Sequence, residues 1–224
     1  MSYEKRLKGL LNAGERAALR QLGTPQKIQD YLDTLPINYE TGGETYMSPR
    51  RVLAEKRAHC FEGALLAAAA LAYHGRKPLL LDFQTRFSDE DHVVALFREG
   101  RFWGAISKTN HPVLRYRDAV FASPRELAMS YFNEYALNDG RKSMRAYSAP
   151  FDVSRYKPEK WVTAEGELQW LVDALDRSRH FPIAPKKNMS HVRKADAIEL
   201  RAQECIEWER SGKRRHYRYR PTNS

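Results

Sequence analysis

The sequence predicts an α+β fold, and three observations predict it. Before residue 60, apolar residues recur at helical spacing behind hydroxyl-proline start signals. The run from Ala64 to Tyr73 is apolar nearly all round and ends at Gly75, the pattern of a helix buried on most sides. From Pro78 to Ser107 the pattern changes to strand-length apolar runs separated by turns, and helical spacing returns after Ser123. Helices, one buried helix, antiparallel strands and more helices make an α+β architecture.

Each element has a local reason. Residues 4 to 22 predict one or two helices, with Asn12-Ala13-Gly14 as the break. Thr24-Pro25 starts the next, with the hydroxyl as cap and proline at the first helical position; Ile28, Tyr31, Leu32 and Leu35 then follow at helical spacing up to Pro36. Residues 37 to 47 form a loop around Gly42-Gly43, and Ser48-Pro49 starts a short helix through Val52 and Leu53. The buried helix spans about 60 to 74. Strands are predicted at 78–83, at 92–97 and, after the Glu99-Gly100 turn, at 101–107, with a fourth at 113–116. Ser123-Pro124 caps a further helix bearing Leu127, Met129, Tyr131, Phe132 and Tyr135. Residues 141 to 162 look irregular but are aromatic enough to pack on the core. Thr163 is expected to cap a helix to Arg177, 182–187 to be a linker, and 191–210 a charged helix with Cys205 on its packed side. The expected division is a core with N-terminal helices over 1–140, a helical C-terminal extension packed on it over 141–212, and a basic flexible tail over 213–224.

Composition bounds the function. A chain of 224 residues, 42% apolar, can bury a sizeable core as one domain with additions. The two cysteines, Cys60 and Cys205, supply neither a disulfide framework nor a four-cysteine zinc site. The start, Met1-Ser2-Tyr3-Glu4-Lys5-Arg6, precedes no long apolar stretch, so a cytoplasmic protein with no signal peptide, membrane span or membrane association is expected. Lys and Arg total 38 against 28 Asp and Glu, a net charge of +10. Part of the excess lies in Lys213-Arg214-Arg215-His216-Tyr217-Arg218-Tyr219-Arg220. Its interleaved Tyr and Arg could bind nucleic acid or an acidic partner weakly; the plainer reading is a solvated basic tail.

The chemistry centres on Arg57-Ala58-His59-Cys60-Phe61-Glu62-Gly63. Cys60 stands at a helix N-terminus, where the macrodipole favours thiolate and backbone N–H groups can hold an oxyanion. His92 opens a strand after Asp89-Glu90-Asp91 and can serve as its base. The alternative for Cys60 is a small buried residue. Cys60, His59, His92 and His111 are a conceivable metal set, but no C-x-x-C, H-x-x-x-H or H-E-x-x-H is present, and adjacent His-Cys seldom ligates one metal. Thr41-Gly42-Gly43-Glu44 lacks the lysine of a phosphate loop. No metal or cofactor is expected.

These residues resemble the transglutaminase-like members of the papain-like superfamily, including the bacterial transglutaminase-like cysteine peptidases. The likeness runs over about residues 28 to 120: Ser48-Pro49 opening a helix, Arg57 to Ala64 opening the next, Leu79 to Phe83, Asp91-His92-Val93-Val94-Ala95-Leu96-Phe97, then Gly100-Arg101-Phe102-Trp103. It implies a papain-like core in which a Cys-bearing central helix packs on a small antiparallel sheet, with extra N- and C-terminal helices. It also implies thiol acyl chemistry on a peptide or other amide substrate. There are two departures from the pattern. His59 stands where an Asp is common before the nucleophile, and Ser107 stands where the third catalytic residue, an Asp, is usual. Ser107, Asn110 and the more distant Asp118 are the alternatives for orienting His92.

The neighbours follow. His59, next to Cys60, is expected to turn away from it into a structural or pocket role; Tyr46 is a candidate pocket residue, and Trp103 a core residue or pocket wall. Glu62 suits the macrodipole without further function. Asp91 could bias His92, Lys108 is expected to face water, and His111-Pro112 to turn. The expectation is a cysteine hydrolase or transglutaminase-like acyltransferase. The alternative is a catalytically inactive binding module of the same fold with a basic surface.

Overall fold

The first four helices start at polar residues that accept from the orphan N–H groups of the first turn. In the computed structural model, which describes residues 2–40, 42–86, 89–203, 206–207 and 217–218, Ser2 caps α1 (Tyr3–Leu10) and Asn12 caps α2 (Ala13–Gln21). Asn12 and Glu15 bond reciprocally, each at 2.8 Å, so the expected break is itself a helix start. Thr24 caps α3 (Pro25–Thr34) and Ser48 caps α4 (Pro49–Glu55), each with proline at the first helical position.

The fifth helix, α5 (Cys60–Tyr73), is buried at every residue from Phe61 to Tyr73. All four preceding helices pack against it on one side and the sheet on the other, which is why its sequence is apolar without a polar face. The sheet has seven antiparallel strands: β1 (Leu79–Gln84), β2 (His92–Glu99), β3 (Phe102–Ile106), β4 (Arg117–Phe121), β5 (Ala146–Ser148), β6 (Phe151–Asp152) and β7 (His180–Pro182). Their order is β4-β3-β2-β1-β5-β7, with β6 also paired to β1. Alternation sorts the side chains. Leu80, Val93, Ala95, Phe97 and Ile106 share the core with α5, while Leu81, Phe83, Val94, Leu96 and Ala105 join Leu127, Ala128 and Tyr131 of α6 (Pro124–Phe132) on the other face. No described helix is long and apolar enough to cross a membrane.

The later chain departs from expectation. The fourth strand lies at 117–121, because Pro112–Leu114 form a 3-10 turn that delays pairing with β3. Beyond residue 140, where a helical extension is expected, β5, β6 and β7 complete the sheet that β1 to β4 begin. Trp161, fully buried, donates from Nε1 to the Tyr3 hydroxyl at 2.9 Å. Thr163 caps no helix: its hydroxyl meets the Glu159 carbonyl, and α7 (Gln169–Asp176) starts six residues later, after Leu168 bonds to the Tyr46 carbonyl. The expected linker at 182–187 holds the end of β7 and the start of α8 (Lys186–Met189). The charged helix α9 is shorter than expected (Ala197–Gln203), and β8 (Ile206–Glu207) pairs with β9 (Tyr217–Arg218). Cys205 and the rest of the basic tail lie outside the described residues.

Candidate active site

The segment entering α5 is held before the helix begins. Ala58 donates to the Pro36 carbonyl at 3.2 Å, and Asn38 donates back to Ala58 at 3.1 Å. His59 is the N-cap residue with extended backbone, and its N–H donates to the Glu62 carboxyl at 2.9 Å. Glu62 is fully buried. It also accepts from Met47 N at 3.1 Å, Thr45 Oγ1 at 2.9 Å and Asn38 Nδ2 at 3.2 Å. So Glu62 does more than answer the macrodipole: it ties the 38–47 loop to the first turn of the Cys60 helix. Its place three residues after the cap is the one sequence signal for this role.

That loop fixes His59. The ring Nε2 meets the Thr45 carbonyl at 2.7 Å and lies 3.4 Å from Glu62 Oε1. The ring does not turn away from its neighbour; Nδ1 is 4.0 Å from Cys60 Sγ. Burial works against charge on His59, but the hydrogen bond to Cys60, the charges of Cys60 and Glu62 and the Thr45 carbonyl outweigh it and push its pKa up to about 9.

Cys60 is partly exposed at the first position of α5. Burial alone would raise its pKa. Hydrogen bonds with His59 and His92, and their charges, bring it down instead to about 6. The arrangement is a thiol beside the His59 imidazole at a helix N-terminus, its pKa lowered further by His92, and it favours a thiolate–imidazolium pair at neutral pH.

His92 is the first residue of β2, buried, opposite Phe83 of β1 and stacked on it with ring centroids 6.4 Å apart. Its Nε2 is 2.8 Å from the hydroxyl of Ser107, which is fully buried just beyond β3. With Nε2 engaged there, Nδ1 is the nitrogen left for the thiol. Of the three alternatives, Ser107 meets the ring. Among the described residues no hydrogen bond joins Asn110 to His92, and Asp118 sits at an exposed position of β4.

Tyr46 lies at the site, its ring edge-on to His59 at 6.1 Å and to Phe61 at 6.0 Å. Burial, then the nearby Glu44 carboxylate, pushes its hydroxyl up to about 12. Trp103 packs against the core on the α6 face of the sheet. It stands at the hairpin end of β3 opposite Arg98, whose guanidinium covers its ring at 5.0 Å, and about 13 Å of strand separates it from Ser107. Lys108, expected to face water, is 1% exposed, because its Nζ donates to the Leu32 and Leu35 carbonyls at 3.0 and 2.5 Å. Asp91 is held by Thr85, from the backbone at 2.7 Å and the hydroxyl at 3.0 Å. Burial and the His92 charge lower the pKa of His111.

Sequence reasoning missed two partners. Gln29 of α3 bonds the backbone of Ser107 across the fold, and buried Asp82 of β1 accepts from His180 Nε2 at 3.0 Å. Neither has a local signal, since the partners are 78 and 98 residues apart. Comparison with protein-family models and with curated protein sequences gives no match.

Proposed function

We propose that this protein is a thiol-dependent acyl-transfer enzyme, a cysteine peptidase, amidase or transglutaminase-like acyltransferase with a papain-like core, acting on an amide bond. One observation carries the reading: Cys60 begins the buried central helix beside the His59 ring, its thiol pKa lowered by His59 and His92, and His92 is held at Nε2 by Ser107. The Cys60 thiolate adds to the carbonyl carbon, and first-turn N–H groups of α5 receive the negative oxygen. Collapse breaks the C–N bond. The imidazolium of His92 gives its proton to the departing amine, leaving a thioester on Cys60. Water or a second amine, deprotonated by His92, then releases the acyl group and restores the thiol.

Ser107 favours a second reading. A neutral hydroxyl holds the His92 ring but stabilises its cation less than a carboxylate would, as in a scaffold that has become a binding module. An activated ester separates the two. With p-nitrophenyl acetate, attack by Cys60 expels p-nitrophenolate and leaves an acetyl thioester visible by intact-mass spectrometry. The enzyme reading requires that adduct on Cys60, its absence in Cys60→Ala, and its release by water or an added amine. An unacylated Cys60 at neutral pH would overturn it.

A further inference from the structure

The two residues after β3, Ser107 and Lys108, are both buried and polar, and both are bonded to α3. The side-chain amide of Gln29 donates from Nε2 to the Ser107 carbonyl at 2.9 Å and accepts from the Ser107 N–H at 2.9 Å. The other hydrogen on Nε2 goes to Asp33 Oδ1 at 3.0 Å. Every polar group of the amide is therefore used, and its orientation is fixed, because a flip would set like groups against each other at Ser107. Lys108 then closes the end of α3 through the Leu32 and Leu35 carbonyls. Its stem lies against the first turn of the Cys60 helix so closely that a Cβ on Gly63 would fall 2.3 Å from Lys108 Cβ.

Ser107 and Lys108 thus meet three elements at once: α3 through Gln29 and the two carbonyls, α5 at Gly63, and β2 through the bond from the Ser107 hydroxyl to His92. Stability alone does not call for this polar brace, since apolar side chains can fill such a space without burying an ammonium group. The rigid placement of one hydroxyl does call for it. The brace spans the gap between the helix that carries the thiol and the strand that carries the imidazole.

We propose that Gln29 is a positioning residue: its amide, bonded to both backbone groups of Ser107, fixes the hydroxyl that orients His92 toward Cys60. This rests on the reading of Cys60 and His92 as a reactive pair. The prediction is a coupling between residues that touch only through the Ser107 backbone.

The test is the pH dependence of Cys60 alkylation by iodoacetamide in the full chain, with Gln29→Met, Ser107→Ala, the double variant and His92→Ala. Methionine keeps the volume and removes the bonds. Gln29→Met should raise the midpoint by about one pH unit and slow alkylation at pH 6 roughly fivefold. It should add nothing in the Ser107→Ala background, because the clamp acts through that hydroxyl. A purely structural role would lower the unfolding midpoint and leave the alkylation midpoint in place. That result, or full additivity with Ser107→Ala, would overturn the proposal. If His92→Ala and Ser107→Ala also left the midpoint unmoved, the reactive-pair reading itself would fail. Should Gln29→Met not fold, Gln29→Asn, one methylene too short to span both backbone groups, is read by the same outcomes.

Discussion

Replacing His59 by alanine puts the electrostatics of the thiol to a direct test. Cys60 falls from 9.0 to about 6, roughly 4 kcal/mol in favour of thiolate over thiol. Burial opposes that shift, so the two imidazoles supply more than the net, and the His59 hydrogen bond is the largest single lowering contribution. Loss of either ring should raise the alkylation midpoint by about two pH units. At pH 7 a midpoint near 6 leaves about nine-tenths of the thiol ionised, and one near 8 about a tenth, so iodoacetamide should label His59→Ala roughly ninefold more slowly. With both rings gone, burial acts unopposed and the midpoint should exceed that of a free thiol. The sign is fixed: thiolate forms as pH rises through about 6, and the His59 cation is lost as pH rises through about 9, so the ion pair spans the interval between. Peptide mass spectrometry separates Cys60 from Cys205. A wild-type midpoint near 9, or a double variant with the wild-type midpoint, would refute the account of how these rings act on the thiol.

Other residues carry their own expectations. Gly63→Ala gains about 1 kcal/mol of helix propensity but drives a Cβ to 2.3 Å from Lys108 Cβ, an atom too close to the backbone to swing away, so the protein should lose about 1–3 kcal/mol in urea unfolding; a gain would contradict the close packing. Glu62→Gln replaces one acceptor oxygen by a donor amide among four donors, so stability should fall by about 1–3 kcal/mol and the His59 pKa should drop; an unchanged His59 titration would count against the Glu62 hub. Trp161→Ala should cost about 3–5 kcal/mol, and a small loss by calorimetry would mean that the chain beyond 140 is not part of the core. Asp82→Asn should lower the raised pKa of His180, which its hydrogen bond to Asp82 chiefly sustains. The stability from that raised pKa is present below the unfolded imidazole value and lost as pH rises through the folded one, so the variant should be penalised at low pH, as NMR titration and urea unfolding at two pH values would show.

What could be read from the chain alone is what neighbours in sequence settle. Thr24-Pro25, Ser48-Pro49 and Ser123-Pro124 start helices because a hydroxyl satisfies an N–H three residues on and proline needs no partner at that place. The all-apolar α5 and the first three strands are legible for the same reason, as are Cys60 at a helix start and His92 at a strand start. Strands of two or three residues are not, since β5 and β6 exist only because β1 offers them an edge more than sixty residues earlier. Nor is the inward turn of His59, which follows from the Thr45 carbonyl and buried Glu62 behind its ring, or the burial of Lys108, which follows from the end of α3 lying against it. The contact of Ser107 with His92 is likewise illegible, and so is the hold of Gln29, 78 positions away, on the Ser107 backbone. A buried polar group must find its partner among whatever segments the fold brings together, so tertiary structure alone decided which groups surround the thiol.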